Sequence, residues 1–272
     1  CFAKVVFVSA STLNTNLIRL NSKSKRFPNG LGNDNGLLGK FIAFHNYRAT
    51  INAEFEGFPQ YTTEGAKPTS HYIPRFRNVY RQETDFLRGY AAGFGAQPNR
   101  ETNKEGFGAE LSNQLLSTKE TGVWNVNSHM MGETIPKESN LVSLDQEKTD
   151  AWGIPLLNID VDYDDNDEKM IQDFYEQFSE MYEKSGFVNI KTNDNGRRPG
   201  NDIHEMGGVR MGKNPKTSLL NAWNQMHECK NVFVTDGACM TSTSTQNPSL
   251  TFMAITARAA NYAIRQMKKG LI

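Results

Sequence analysis

Two short β-branched runs, one near each end of the chain, do most to limit what it can fold into. Residues 4–9 (Lys-Val-Val-Phe-Val-Ser) and 231–235 (Asn-Val-Phe-Val-Thr) are too short for helices and have the composition of buried strands. The first passes through Ser9-Ala10-Ser11 into residues 12–21. There Leu13, Leu17, Ile18 and Leu20 fall at helical spacing, with Ser11 or Thr12 as N-cap. The second ends in Asp236-Gly237. Pro248 then opens a helix predicted to reach Lys269, with Ser249 and Thr251 in its first turn. Lys268-Lys269 stand at the end where the helix dipole favours positive charge. Both ends therefore read as strand, turn and helix.

The residues between follow another rule. From Phe41 to Tyr163 short runs with partial alternation dominate, at 41–44, 49–55, 141–144 and 157–163. In the last, Leu157, Ile159, Val161 and Tyr163 alternate with Asn158, Asp160 and Asp162, the pattern of a half-exposed strand. Turn-rich pieces such as Gln97-Pro98-Asn99-Arg100 separate the runs, and the region reads as an antiparallel sheet. Residues 167–185 predict a helix with Met170, Phe174, Phe178 and Met181 or Tyr182 on one face. Asn166 or Asp167 would cap it and Gly186 end it. Residues 21–36 and 191–200 read as loops.

Charge excludes some function classes. The 272 residues carry 30 Lys+Arg and 30 Asp+Glu, so no bulk field favours nucleic acid or an anionic membrane. No apolar run approaches the ~20 residues of a membrane-spanning helix. Cys1, Cys229 and Cys239 cannot build a disulfide framework, and the compartment stays open. A start at Cys1, three residues before a strand, reads as entry into the middle of a longer protein, with any targeting peptide upstream.

Several partial motifs fail on spacing. Gly30-x-Gly32 with Gly36 lacks a preceding strand and places its third glycine one residue late for a dinucleotide loop. His204-Glu205 begins like a zinc-protease helix, but Gly208 stands where the second histidine belongs. Asp160, Asp162 and Asp164 open like a calcium loop, yet Asp165 and Ile171 occupy its glycine and glutamate positions. His227, Cys229 and Cys239 match no zinc spacing. Residues 74–81 interleave basic and aromatic side chains as a single-strand binder does; at zero net charge they read instead as a twisted strand with one solvated face. His45, His71 and His129 read as structural or surface residues.

One constellation survives. His204-Glu-Met-Gly-Gly-Val-Arg-Met-Gly212 is followed by Asp236-Gly237 and by Asn247-Pro248-Ser-Leu-Thr251. Adjacent glycines beside a histidine imply a backbone that passes close to something. Asp-Gly after a strand puts a carboxylate at the carboxyl edge of a sheet, where α/β folds bind ligands. Asn-Pro-Ser at a helix head offers free N–H groups and a positive dipole end. In isolation His204 could be a core histidine, Asp236 a turn residue and Asn247 an N-cap; their order and spacing together are harder to dismiss.

His204-x-x-Gly207-Gly208-x-Arg210-Met211-Gly212, Asn231-x4-Asp236-Gly237 and Asn247-Pro248-x-x-Thr251-x-x-Ala254 resemble the carboxyl-terminal signature of the glucose–methanol–choline (GMC) oxidoreductases. The branch of gluconate and fructose dehydrogenase flavoproteins is the nearest in flavour. Residues 3–15 resemble the family's strand–turn–helix near the flavin, with Ser11 where the family has glycine, and residues 32–40 resemble its next loop. The resemblance implies an α/β fold combined with α+β. Residues 1–40 and 201–272 would be parts of a doubly wound FAD-binding domain, and 41–200 a substrate domain on an antiparallel sheet with helices.

It further implies an FAD-dependent oxidoreductase acting on CH–OH donors, an alcohol or a sugar, with hydride passing to flavin N5. His204 would be the base and Asn247 would hold the hydroxyl oxygen. Asp236, Gly237, Ala238, Asn247, Pro248 and Ser249 would lie against the flavin, with Thr251 one turn further in. A cytochrome, a quinone or oxygen would take the electrons. The family's amino-terminal Gly-x-Gly-x-x-Gly fingerprint is not in these 272 residues. The expectation is therefore a carboxyl-terminal part that binds FAD poorly and has little activity alone, needing the amino-terminal FAD-binding region. The alternative is a non-catalytic remnant or interaction module that needs an amino-terminal partner fragment.

Overall fold

The computed structural model describes residues 3–59, 71–98, 106–117, 122–200 and 203–272. Its elements begin with β1 (Val6–Val8), α1 (Thr12–Asn21), β2 (His45–Asn46), β3 (Ala49–Phe55) and β4 (His71–Ile73). β5 (Tyr90–Pro98), α2 (Ala109–Ser117), β6 (Trp124–Glu133), β7 (Leu141–Thr149) and β8 (Pro155–Asp160) follow. The chain ends with α3 (Asp165–Lys184), β9 (Val188–Asp194), β10 (Val232–Val234) and α4 (Ser249–Lys268).

Two compact units divide these elements. The first contains Cys1–His45, Glu133–Asp164 and Arg198–Ile272, and the second Asn46–Gly132 and Asp165–Arg197. Residues 133–164, read from sequence with the middle region, group with the two ends.

In the second unit an antiparallel sheet in the order β4-β5-β6-β3-β9 carries α3 on one face. Ala49, Ile51, Ala53, Ala92, Val126 and Met130 pack against Met170, Ile171, Phe174, Phe178 and Tyr182. The 3.6-residue period of α3 therefore meets the two-residue period of the strands in one core. The opposite face is polar: Asn52 lies across from Asn127 on one side and Lys191 on the other, and Asn127 Nδ2 donates to Asn52 Oδ1 at 2.8 Å.

Four local expectations are corrected in this unit. α3 starts at Asp165, so neither Asn166 nor Asp167 caps it; Asn166 instead exchanges hydrogen bonds with the backbone of Leu87. Residues 74–81 are turns rather than a strand, because Asn78 takes a positive φ (52°) and its side chain gathers the carbonyls of Phe86 and Arg88. Residues 191–194 are strand, paired through β9 to β3. The turn predicted at 97–100 begins inside β5, and Asn99 and Arg100 lie outside the described residues.

In the first unit β1 pairs with β10 in parallel, Val6 opposite Val232 and Val8 opposite Val234. β10 is buried throughout, but Val6 and Phe7 are 38% and 40% exposed, so β1 is an edge rather than the buried strand its composition predicts. Val209, Leu219, Leu220 and Met226 build a core around β10. β7 and β8 form an antiparallel hairpin, against which Ile42 and Phe44 pack through Val142 and Leu157.

α1 contradicts its own periodicity. Its buried residues are Thr12, Thr15, Asn16 and Arg19, whereas Ile18 is 46% exposed. Arg19 is fully buried with one bond, to Leu31 O at 2.7 Å, and its Nε and Nη1 have no partner among the described residues. Burial pulls its guanidinium down to about 10.

Arg19→Met in the intact protein is expected to raise stability by about 1–2 kcal/mol in urea unfolding, since it removes a buried charge without a counter-ion. Phe174→Ala is expected to lower stability by about 3–5 kcal/mol by the same measurement, through the cavity left in the α3 core.

Candidate active site

All the singled-out residues lie in the first unit, on three backbone segments. Residues 204–211 run between two neighbours. On one side Ala43 and Met206 exchange both backbone hydrogen bonds at 2.8 Å, and Gly208 N donates to Lys40 O at 3.0 Å. On the other, Gly207, Val209 and Met211 donate to the carbonyls of Gly237, Ala238 and Cys239 at 3.0, 3.0 and 3.1 Å. The glycine pair is required by this sandwich: φ is 95° and 86°, and a Cβ would run into Phe41 O at Gly207 and the Asn16 amide at Gly208. What the backbone passes close to is the protein itself.

α1 ties the segments together with its buried polar face. Thr12 Oγ1 donates to Glu205 O at 2.5 Å, and Asn16 Nδ2 to Gly207 O at 3.1 Å. Thr15 Oγ1 donates to Asp236 Oδ2 at 2.5 Å. Asp236 Oδ1 accepts from Ala238 N at 2.9 Å and so caps the short turn Gly237–Cys239. Burial pushes the Asp236 carboxyl above the usual range, against the opposing pull of Thr15 and the Ala238 N–H. The Asp236 side chain is thus bound within the fold.

His204 sits in the left-handed region (φ 71°), uncommon for a residue with a Cβ. Burial alone lowers its imidazole below the ordinary value, and Nδ1 is buried without a partner among the described residues. Its ring meets that of His45 edge-to-face, with centroids 5.0 Å apart.

α4 begins beside Gly237: a Cβ there would lie 3.5 Å from the Phe252 ring, and Thr256 Oγ1 reaches Thr235 O at 3.5 Å. Pro248 stands at its cap in helical conformation and gives no side-chain bond. Asn247, Ser249 and Thr251 are exposed, and no hydrogen bond joins Asn247 to His204. Between Gly237–Cys239 and α4, Ser242 Oγ donates to the buried Glu133 carboxylate, and Thr243 Oγ1 is buried without a partner among the described residues. The structure therefore joins residues 204–211 with Asp236, Gly237 and Ala238, and anchors the first turns of α4 beside them.

Residues 136–256 match the C-terminal family of the GMC oxidoreductases. The chain carries a GMC oxidoreductase C-terminal domain. It is 32% identical over 283 residues to 2-methyl-1,2-propanediol dehydrogenase of Mycolicibacterium austroafricanum, covering 97% of this chain and 48% of that protein. It is 25% identical to the fructose dehydrogenase large subunit of Gluconobacter japonicus, covering 98% and 48%. A formate oxidase from Aspergillus oryzae, studied for its FAD modification, shares the fold at a TM-score of 0.60 and 12% identity, over 98% of this chain and 55% of its own. The chain spans about half the length of the curated relatives it matches. In this chain helices accompany antiparallel sheets.

Gly208→Ala is expected to yield little folded protein, seen as loss of soluble expression and of near-UV ellipticity, because it strains φ and displaces Asn16. Thr15→Val is expected to cost about 1–3 kcal/mol near pH 7. The folded Asp236 pKa is raised, so its charge opposes folding once pH rises above the unfolded value. The Thr15 penalty should therefore shrink as pH falls through the raised carboxyl titration of Asp236, from pH 7 to an acidic pH at which the protein is still folded. Paired urea titrations at the two pH values check the sign.

Proposed function

We propose that the protein is an FAD-dependent oxidoreductase acting on a CH–OH donor, an alcohol or a sugar, and that this chain supplies its catalytic carboxyl-terminal part. One observation carries the reading: a half-buried histidine, its titration lowered by burial, heads the segment whose Gly207 N donates to Gly237 O, and Phe252 of α4 lies against that same glycine. The residues present fit a flavin. The orphaned Nδ1 of His204 and Oγ1 of Thr243 are open hydrogen-bonding atoms, and the first-turn N–H groups of α4 have no side-chain cap.

Bound FAD would supply a two-electron acceptor for hydride leaving the carbinol carbon. His204, neutral at physiological pH, takes the hydroxyl proton on a ring nitrogen. Asn247, exposed at the head of α4, hydrogen-bonds the hydroxyl oxygen. The backbone of Gly237 and Ala238, with Pro248, Ser249 and Thr251, would hold the flavin. The N–H groups of residues 249–251 and the dipole of the 20-residue α4 stabilise negative charge arriving beside them. Asp236 holds the Gly237 turn in place rather than meeting the cofactor with its carboxylate.

The adenosine end needs a glycine fingerprint that these 272 residues lack, so the amino-terminal FAD-binding region is the implied partner. Bound flavin would pass its electrons on to a cytochrome, a quinone or oxygen. Names of the relatives favour small hydroxylated substrates.

His204→Ala in the full-length protein is expected to lower kcat about 10²–10⁴-fold with flavin content unchanged. Undiminished turnover would overturn the assignment of the base and favour the non-catalytic module. The isolated 272-residue chain is expected to purify with far less than one flavin per chain; stoichiometric flavin would contradict the need for the missing region.

A further inference from the structure

The candidate site holds a second histidine that the reading above does not use. Ala43 and Met206 form an antiparallel bridge. His45 lies two residues beyond Ala43 and His204 two residues before Met206, so this isolated bridge brings the two histidines to the same end of the paired segments. Their rings meet at 90° with centroids 5.0 Å apart. His45 is 1% exposed, whereas His204 is only half-buried on a backbone held at φ 71°.

We infer that His45 is a positioning residue for His204, its fixed ring holding the imidazole of the base in one orientation. The inference rests on the reading of His204 as base. The left-handed backbone of His204 is a conformation that persists only where its surroundings hold it, and the ring that meets its imidazole is that of His45. His45 lies on a stretch whose backbone is pinned at Ile42 N to Asn140 O (2.9 Å) and at Phe44 to Thr134 Oγ1. It is therefore a wall of known position. The same ring excludes water from one side of His204, which suits a base that must stay neutral. No charged side chain contributes to the depressed His204 titration; burial is its one cause.

The test compares His45→Ala and His45→Phe in the full-length, flavin-loaded protein, following the His204 ring by NMR titration alongside steady-state kinetics. His45→Ala should let water reach His204 and raise its midpoint towards the ordinary value of about 6.5. The acid limb of kcat should move with it, with kcat down about 10-fold and KM within about twofold. His45→Phe keeps a ring and should retain the wild-type midpoint and most of kcat. An alanine variant indistinguishable from wild type, or a phenylalanine variant as defective as alanine, overturns the proposal. If the alanine protein does not fold, phenylalanine decides alone: an unmoved midpoint supports it and a midpoint near 6.5 overturns it. Turnover intact in His204→Ala would defeat the base itself, while the His204 midpoint in the His45 variants still reports on positioning.

Discussion

Everything in the first unit depends on a helix packed with its polar side inward. Thr12, Thr15 and Asn16 of α1 bond to Glu205 O, the Asp236 carboxylate and Gly207 O, three points brought from more than 190 residues away in sequence. Hydrophobic contact could hold these segments near one another but could not fix their rotation or register. Buried hydrogen bonds can, because each leaves an expensive orphan if the backbone shifts. The loop of Gly237–Cys239 and the strand-like run of 204–211 are thereby set to within a hydrogen-bond length. The apolar residues Leu13, Leu17 and Leu20 are left half-buried at the rim.

That inversion explains where the sequence could and could not be read. α3 was legible because Met170, Phe174, Phe178 and Tyr182 repeat on one stripe, and the stripe is buried as periodicity requires. β10 and the start of α4 were legible because β-branched residues and a Pro-Ser helix head carry strong local signals. The placement of α1 was legible but its facing was not: Thr and Asn were bound to read as solvent-facing, and their partners are distant backbone carbonyls that leave no local trace. Residues 74–81 failed for a related reason. Their alternation came from arginines whose partners, such as Asp173 for Arg77, lie far along the chain.

The site shows the same division. Gly207 and Gly208 announced a close approach correctly, and only the fold shows that the approach is to Phe41 and Asn16. Asp236 announced a carboxylate at a sheet edge, and the fold commits it to Thr15 and the Ala238 N–H. His45 gave no signal, because its role follows from a single bridge between residues 43 and 206. Among the described residues, the open hydrogen-bonding atoms around the site include a nitrogen of His204, the Thr243 hydroxyl, Oδ1 of Asn16 and the helix-head amides. A planar ligand would be met mostly by backbone, whose geometry the glycines and α1 set in advance.

The parallel pairing of β1 with β10 also sets an order in time. Val6 cannot find Val232 until nearly the whole chain exists, whereas the second unit is complete in sequence by Arg197. Within these residues the α3 core is complete in sequence before residues 204–207 and 232–236, the partners of β1 and of the polar side of α1, have been made. Contacts of such long sequence separation form slowly, and an unpaired apolar edge waiting for them is where aggregation starts. The β1–β10 pair and the segments that meet the polar side of α1 therefore form later than the α3 core.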